Sequence, residues 1–160
     1  MWYNYCVMET DKTISVNRKA RHEYSIQETM EAGIVLSGTE IKSIRAGKVS
    51  LAQSYARPER GELWLLNAHI APYDKGNRYN HDPERPRKLL MHRDEIADLG
   101  GALVKGLTLV PLRLYLKKGR AKLELGLGRG KKLYDKRETL AKRQADRDIE
   151  RTLKTRRAKA

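Results

Sequence analysis

Three cations crowd one aromatic ring near the start of the chain: Arg18, Lys19 and Arg21 stand just ahead of Tyr24. Cations hold phosphates and a tyrosine ring stacks on an unpaired base, so this set is suited to capturing single-stranded nucleic acid. Tyr55 offers a second ring, and Lys42, Arg45 and Lys48 extend a track for a phosphate backbone. Any one of these residues is as readily a solvated side chain, or a core ring with a wet hydroxyl. Taken as a set, they favour binding.

Catalytic chemistry has no comparable set. The four histidines (His22, His69, His81, His92) and Cys6 show neither His-x-x-x-His nor Cys-x-x-Cys spacing, so no metal site is expected. His22-Glu23 and His81-Asp82 suggest acid–base pairs of a nuclease, but neighbours on a strand point to opposite faces. The chain has no phosphate-cradling Gly-x-x-x-x-Gly-Lys and no nucleophile elbow. The reading is a binding protein with no cofactor, not an enzyme.

Charge points the same way. The 160 residues carry 34 Lys and Arg against 20 Asp and Glu, a net +14 that repels itself unless a polyanion is near. No apolar run approaches the ~20 residues of a spanning helix, and no basic start leads into an apolar secretory stretch. A single cysteine rules out an intrachain disulfide and suits a reducing, cytoplasmic setting. Residues 129–160 hold 13 Lys and Arg against 5 Asp and Glu, so over half the excess charge sits in the last fifth of the chain. Such a block reads as a solvated or disordered interaction arm.

The elements that must position these residues are mostly strands. Residues 1–16 show no period and read as a variable or disordered leader, or as a start placed too early. Apolar positions Tyr24 and Ile26, then Ile34 and Leu36, predict two strands around a turn at Glu31-Ala32-Gly33. Ser37 and Glu40 stand at capping-box spacing. They open a short helix that buries Ile41 and Ile44, exposes Lys42 and Arg45, and closes at Gly47. Residues 51–57 and 62–70 predict a hairpin about Arg57-Pro58-Glu59-Arg60-Gly61. A phase flip after Leu65 predicts a bulge, and a second flip is expected at Pro111. Leu123, Leu125 and Leu127 alternate after a turn at Gly119. Residues 72–87 read as a long loop that is mobile or functional, and residues 88–99 as a helix ended by Gly100-Gly101.

These elements predict a mainly β fold: an OB-like barrel of about six strands and two short helices over residues 17–129. Gly126, Gly128 and Gly130 read as loosening the chain after the last strand. Residues 130–160 form the basic tail, where Ala141, Ala145, Ile149 and Leu153 make one narrow apolar stripe. Alone in water such a helix is marginal, so the tail is expected to be disordered when free and to fold against a partner.

The ordered motifs carry a resemblance. Asn-x-x-Ala-x-His-Glu-Tyr is matched at Asn17, Ala20, His22, Glu23 and Tyr24, followed by Glu31-Ala32-Gly33. Gly38 to Gly47 reads Gly-x-Glu-hydrophobic-Lys-Ser-hydrophobic-Arg-x-Gly, and Arg87-Lys88-Leu89-Leu90 follows. Gly130-Lys131-Lys132-Leu133-Tyr134-Asp135-Lys136-Arg137 supplies the tail signature. In these motifs the chain resembles the SsrA-binding protein family over residues 17–137, departing only in the leader.

The resemblance implies an OB-like barrel that binds the tRNA-like domain of transfer-messenger RNA. It implies delivery with elongation factor Tu to stalled ribosomes for trans-translation, that is, ribosome rescue and proteolytic tagging of the unfinished peptide. The barrel would replace the missing anticodon arm, and the tail would turn helical in the empty messenger channel beside the small-subunit decoding centre. Asn17, Glu31 and Leu90 match positions implicated in RNA binding, and Tyr24 and Tyr55 match aromatic positions facing the RNA. Lys131, Lys132, Tyr134, Asp135, Lys136 and Arg137 match the tail residues of accommodation and tagging, with Gly130 at their hinge. Ile149 and Leu153 are anchors of the tail helix by pattern. The expectation is a cytoplasmic monomer with no membrane partner. A generic OB-type RNA-binding or ribosome-associated protein is the alternative.

Overall fold

Alternating apolar residues from Leu107 to Leu127 make the longest hairpin, β8 (Thr108–Lys117) and β9 (Arg120–Gly130). In the computed structural model, residues 11–74 and 80–132 are described, together with Gln144, Ala145, Arg147, Ile149 and Arg151. Ahead of the hairpin come β1 (Lys12–Val16), α1 (Arg18–Glu23), β2 (Tyr24–Ile34), α2 (Gly38–Arg45) and β3 (Val49–Ser50). Then follow β4 (Tyr55–Glu59), β5 (Glu62–Leu66), β6 (His69–Ile70), β7 (Arg87–Leu90) and α3 (Arg93–Val104).

Six antiparallel strands join in a closed ring, β8-β4-β5-β7-β2-β9 and back to β8. Closure gives every ring strand a partner on each side, which the edge strands of an open sheet lack. The seam between β4 and β8 is one ladder pair, Ala56 with Leu109. Inside lie Leu63, Leu65, Leu89, Leu109, Leu114, Leu123 and Leu125, with Ile44 of α2 and Ile96 and Leu99 of α3. A smaller cluster outside the ring joins Ala20 of α1 to Val110 and Leu112.

The mainly β class is as expected, and the expected six strands match the ring in number but not in identity. The two short strands foreseen over 24–36 are the single β2. Its Glu31-Ala32-Gly33 stretch is no turn, because Glu31, Ala32 and Gly33 pair with Glu124, Leu123 and Lys122. The helix foreseen at 88–99 begins at Arg93, while Leu89 and Leu90 belong to β7, paired to both β5 and β2. That helix continues through Gly100-Gly101 to Val104. Residues 12–16, placed in the leader, form β1 on β8, where Ile14 packs against the core; residues 1–10 lie outside the described residues.

Both flips of phase have causes. At Pro111–Arg113 the register shifts as a bulge, so Val110 and Leu112 lie under α1 and Leu114 returns to the ring interior. After Leu65 there is no bulge: β5 stops at Leu66, Asn67 takes a left-handed φ of 57°, and β6 starts a separate pairing. The β8–β9 turn uses Lys118 and Gly119 at φ 50° and 74°, the twist a two-residue hairpin prefers. The glycines expected to loosen the chain lie inside β9. A Cβ on Gly128 would stand 2.5 Å from the Ser25 carbonyl oxygen, so glycine here permits close strand approach.

The capping box at Ser37 and Glu40 is present. Glu40 also reaches inward, accepting from Arg85 Nε at 2.8 Å, Arg85 Nη2 at 2.6 Å and Arg87 Nε at 2.9 Å. Arg87 is 0% exposed and donates further to the carbonyls of Ala68 and Pro83, at 2.6 and 3.0 Å. This buried cluster ties α2, the segment before β7 and β7 itself. His81 adds a pin, its ring bonding Thr39 Oγ1 and the Ile70 carbonyl at 2.9 and 3.0 Å. The described part of the expected loop is therefore held down; residues 75–79 lie outside the described residues.

Candidate nucleic-acid interface

Asn17 builds the first part of the interface without facing it. Its Oδ1 accepts from the Ala20 N–H at 3.1 Å and caps α1. Its Nδ2 donates to the carbonyls of Leu51 and Pro111 at 2.9 and 3.1 Å. At 7% exposure it is a positioning residue, a role that the sequence motif alone does not distinguish from contact. The helix it starts presents Arg18, Lys19 and Arg21 to solvent. Lys19, Tyr24 and Tyr55 meet around a cleft of about 140 Å³ floored by Val110. Of the three cations expected beside Tyr24, Lys19 lines this cleft with the two rings, while Arg18 and Arg21 are not among its lining residues.

Asn17→Ala is expected to cost about 2–3 kcal/mol of stability, from a lost cap and two buried bonds. RNA affinity should fall with it as α1 loses its seat. Urea unfolding and filter binding on the same preparation check both.

The second part stands further along β2, on the order of 20 Å from Tyr24. Glu31 accepts from the Tyr115 hydroxyl and pairs with Lys117 and Lys122, each at 3.2 Å. The Tyr115 hydroxyl and then the two ammonium groups outweigh desolvation and hold the Glu31 carboxyl down at about 2. Burial, then the Glu31 carboxylate, pushes the Tyr115 phenol up. Glu31 therefore stays ionised and gathers a basic rim; with Lys118 and Arg120 it lines a cleft of about 330 Å³.

A charged line joins the two parts across the outer face of β8 and β9. Arg21 lies 3.7 Å from Glu124, which accepts from Arg113 Nε at 2.8 Å, and Arg113 stacks on the Tyr115 ring at 4.6 Å. The sequence reading did not pick out Arg113, Tyr115, Lys117 and Lys122. The first three stand at period two on one face of β8, which was the available signal, while Lys122 lies opposite Tyr115 on β9.

Leu90 is 54% exposed and overhangs a cleft of about 440 Å³ shared with Ile34, Ile41, Arg120 and Lys122. Arg45 of α2 reaches the same turn, donating to the Gly119 carbonyl at 3.5 Å. Lys42 and Lys48 are already engaged: Lys42 lies 5.7 Å over the Tyr73 ring and Lys48 pairs with Asp74.

Gly130, expected at the hinge of the tail, ends β9 paired with Tyr24, and Lys131 N–H then donates to the Glu23 carbonyl at 2.8 Å. The tail leaves from beside α1, with Lys132 exposed. Tyr134, Asp135, Lys136, Arg137 and Leu153 lie outside the described residues. Ile149 is helical and 59% exposed. Among the described residues no cluster of His, Cys, Asp and Glu is placed to hold a metal, and no helix is long and apolar enough to cross a membrane.

Acid should loosen the buried cluster. Burial alone would raise Glu40, but Arg85, the Ser37 N–H and Arg87 overcome it and set its carboxyl at about 2, against an ordinary 4.5. A depressed carboxyl stabilises the fold above its unfolded value, so this contribution is complete above about pH 5 and is lost as pH falls from 4.5 towards 2. Glu40 accounts for about 3 kcal/mol of that fall. Urea midpoints taken stepwise from pH 7 to 2 should be flat, then drop, and Glu40→Gln should flatten the drop.

The family described as SmpB protein matches residues 14–155. An SsrA-binding protein of Desulforudis audaxviator is 62% identical over 144 residues, covering 89% of this chain and 94% of that protein. One from Carboxydothermus hydrogenoformans is 62% identical over 147 residues, covering 91% and 99%. A solved structure reported as "tmRNA-SmpB: a journey to the center of the bacterial ribosome" superposes with a TM-score of 0.63 at 58% identity, covering 74% of this chain and 85% of that one.

Proposed function

Because this chain belongs to the SmpB protein family, we propose that it binds the tRNA-like domain of transfer-messenger RNA and carries it to stalled ribosomes for trans-translation. Ribosome rescue and tagging of the nascent peptide follow. The family match over residues 14–155 is the observation that carries this reading. The interface supports it chemically: rings and a cation at the Tyr24–Tyr55 cleft, then a basic rim around Glu31. It acts by binding, as a cytoplasmic monomer, without catalysis or a cofactor.

In this reading residues 17–129 are the RNA-binding unit. Asn17 positions α1, and Arg18, Lys19 and Arg21 meet phosphate. Tyr24 and Tyr55 stack on bases, while Glu31, Arg45 and Leu90 shape the second contact. Lys42 is freed for RNA only when it leaves Tyr73. Residues 130–160 serve the ribosome, with elongation factor Tu in the delivery complex and the tail in the empty messenger channel below the decoding centre.

Binding of the purified chain to the tRNA-like domain, in moderate salt with excess competitor tRNA, tests the reading. Competitor-resistant binding supports it; binding erased by tRNA reduces the chain to a general RNA binder. Glu31→Arg should weaken this binding at least tenfold by scattering Tyr115, Lys117 and Lys122. Affinity should also fall steeply with salt as counterions are released, and a flat response would sink the phosphate track.

A further inference from the structure

An apolar groove opens at one mouth of the ring, between β2 and α3. Leu99 of α3 and Leu127 of β9 floor it, and Met30 of β2 stands half-buried at its side. It measures about 170 Å³, below the ~300–1,000 Å³ of a small-molecule pocket and suited to one side chain of a peptide. Three exposed carboxylates, Glu28, Glu95 and Asp98, form its rim, and no lysine or arginine lines it. Glu95 spends one oxygen on the His92 N–H, in the capping box of α3. The side chains of Glu28 and Asp98 have no ion pair or hydrogen bond among the described residues. In a chain of net +14, this rim is left without a cation.

The groove fits a basic peptide that carries one aliphatic side chain, and the chain itself contains one. All five acidic residues of 129–160 lie ahead of Arg151. Residues 152–160, which lie outside the described residues, hold Lys154, Arg156, Arg157 and Lys159 with no carboxylate, and Leu153 precedes them. The fold puts this segment within reach. β9 ends at Gly130, three residues after Leu127, so the tail leaves about 10 Å from the groove. The linking residues 133–152 span up to ~70 Å when extended, several times that distance. One exposed ion pair is worth little, but a tethered ligand stays at an effective concentration on the order of millimolar. Several weak contacts then suffice.

We infer that residues 153–159 dock back into this groove while the protein is free of its partners. Leu153 fills the space above Leu99 and Leu127, and Lys154, Arg156 and Arg157 meet the Glu28–Asp98 rim. The contact asks no order of the residues between. It shields a polybasic segment that would otherwise bind any polyanion, and it yields when a denser phosphate surface competes for the same cations. The inference stands apart from the RNA reading, since groove and occupant belong to one chain.

The test uses the full chain with Cys6→Ser and a nitroxide label on Ala158→Cys, read by paramagnetic broadening of backbone amide signals. Broadening centred on Glu28, Asp98 and Leu99, and absent at the β8–β9 turn, is expected at low salt. Glu28→Lys with Asp98→Lys should cut it at least fivefold, as should 1 M salt, where the screening length is about 3 Å. Thermal unfolding of the double variant should match the parent, because both side chains are exposed and unpaired. Groove signals that stay sharp in the parent, or broadening unchanged in the double variant, would overturn the docking. A mixture of labelled chain with isotope-enriched unlabelled chain separates the remaining source. Broadening in the enriched partner would assign the occupant to a second copy and overturn the intrachain contact; sharp signals there support it.

Discussion

Glu40→Ala should destabilise this protein by about 3–5 kcal/mol, a large share of the stability of a domain this size. The reason lies in its partner. Arg87 is sealed from solvent with Glu40 as its counter-charge, and its remaining donors are spent on the Ala68, Arg85 and Pro83 carbonyls. Removing the carboxylate strands a guanidinium in the interior, whereas removing an exposed pair such as Arg57 and Glu59 should cost under about 1 kcal/mol. Glu40→Ala combined with Arg87→Leu should recover part of the loss, because no charge is then left unpaired. Urea unfolding of the two variants and the parent gives the answer. A single-variant cost below about 1 kcal/mol would mean that water reaches Arg87.

Asp135→Ala with Lys136→Ala should abolish peptide tagging while leaving RNA affinity within about twofold of the parent. The structural argument concerns where the tail begins. β9 is paired through Gly130, and Lys131 is fastened to the Glu23 and Arg21 carbonyls at 2.8 and 3.4 Å. Asp135 and Lys136 follow these anchors in the chain and are not among the residues that build the α1 cleft or the Glu31 cluster. Tagging is read in a translation extract programmed with a stop-less message, and affinity by filter binding of the tRNA-like domain. Equal losses in both assays would refute the division between barrel and tail.

Features set by local rules were legible in the sequence. Ser37 and Glu40 announce α2, Lys118-Gly119 closes a hairpin, and the flip at Pro111 is a bulge, because each depends on residues a few positions apart. What was misread depends on distant neighbours. Glu31-Ala32-Gly33 has the composition of a turn, yet β7 and β9 flank it and make it a strand. Gly128 suggests slack until the Ser25 backbone is seen pressed against it. At the candidate site, the cations and tyrosines were visible as a cluster, but their divisions were not. Asn17 is buried support, Glu31 an organiser of lysines, and Arg21 is shared with Glu124. The Glu40–Arg87 pair joins residues 47 positions apart, and no local pattern announces it.

The position of β9 has a mechanical consequence. The tail is continuous with a strand laced on one side to β2 and on the other to β8, over nearly its full length. A pull along the tail loads both ladders lengthwise, so many bonds must yield together instead of peeling one by one. A force applied where the tail is gripped would therefore reach the barrel undiminished, moving the RNA-bearing body as a unit before any strand is drawn out.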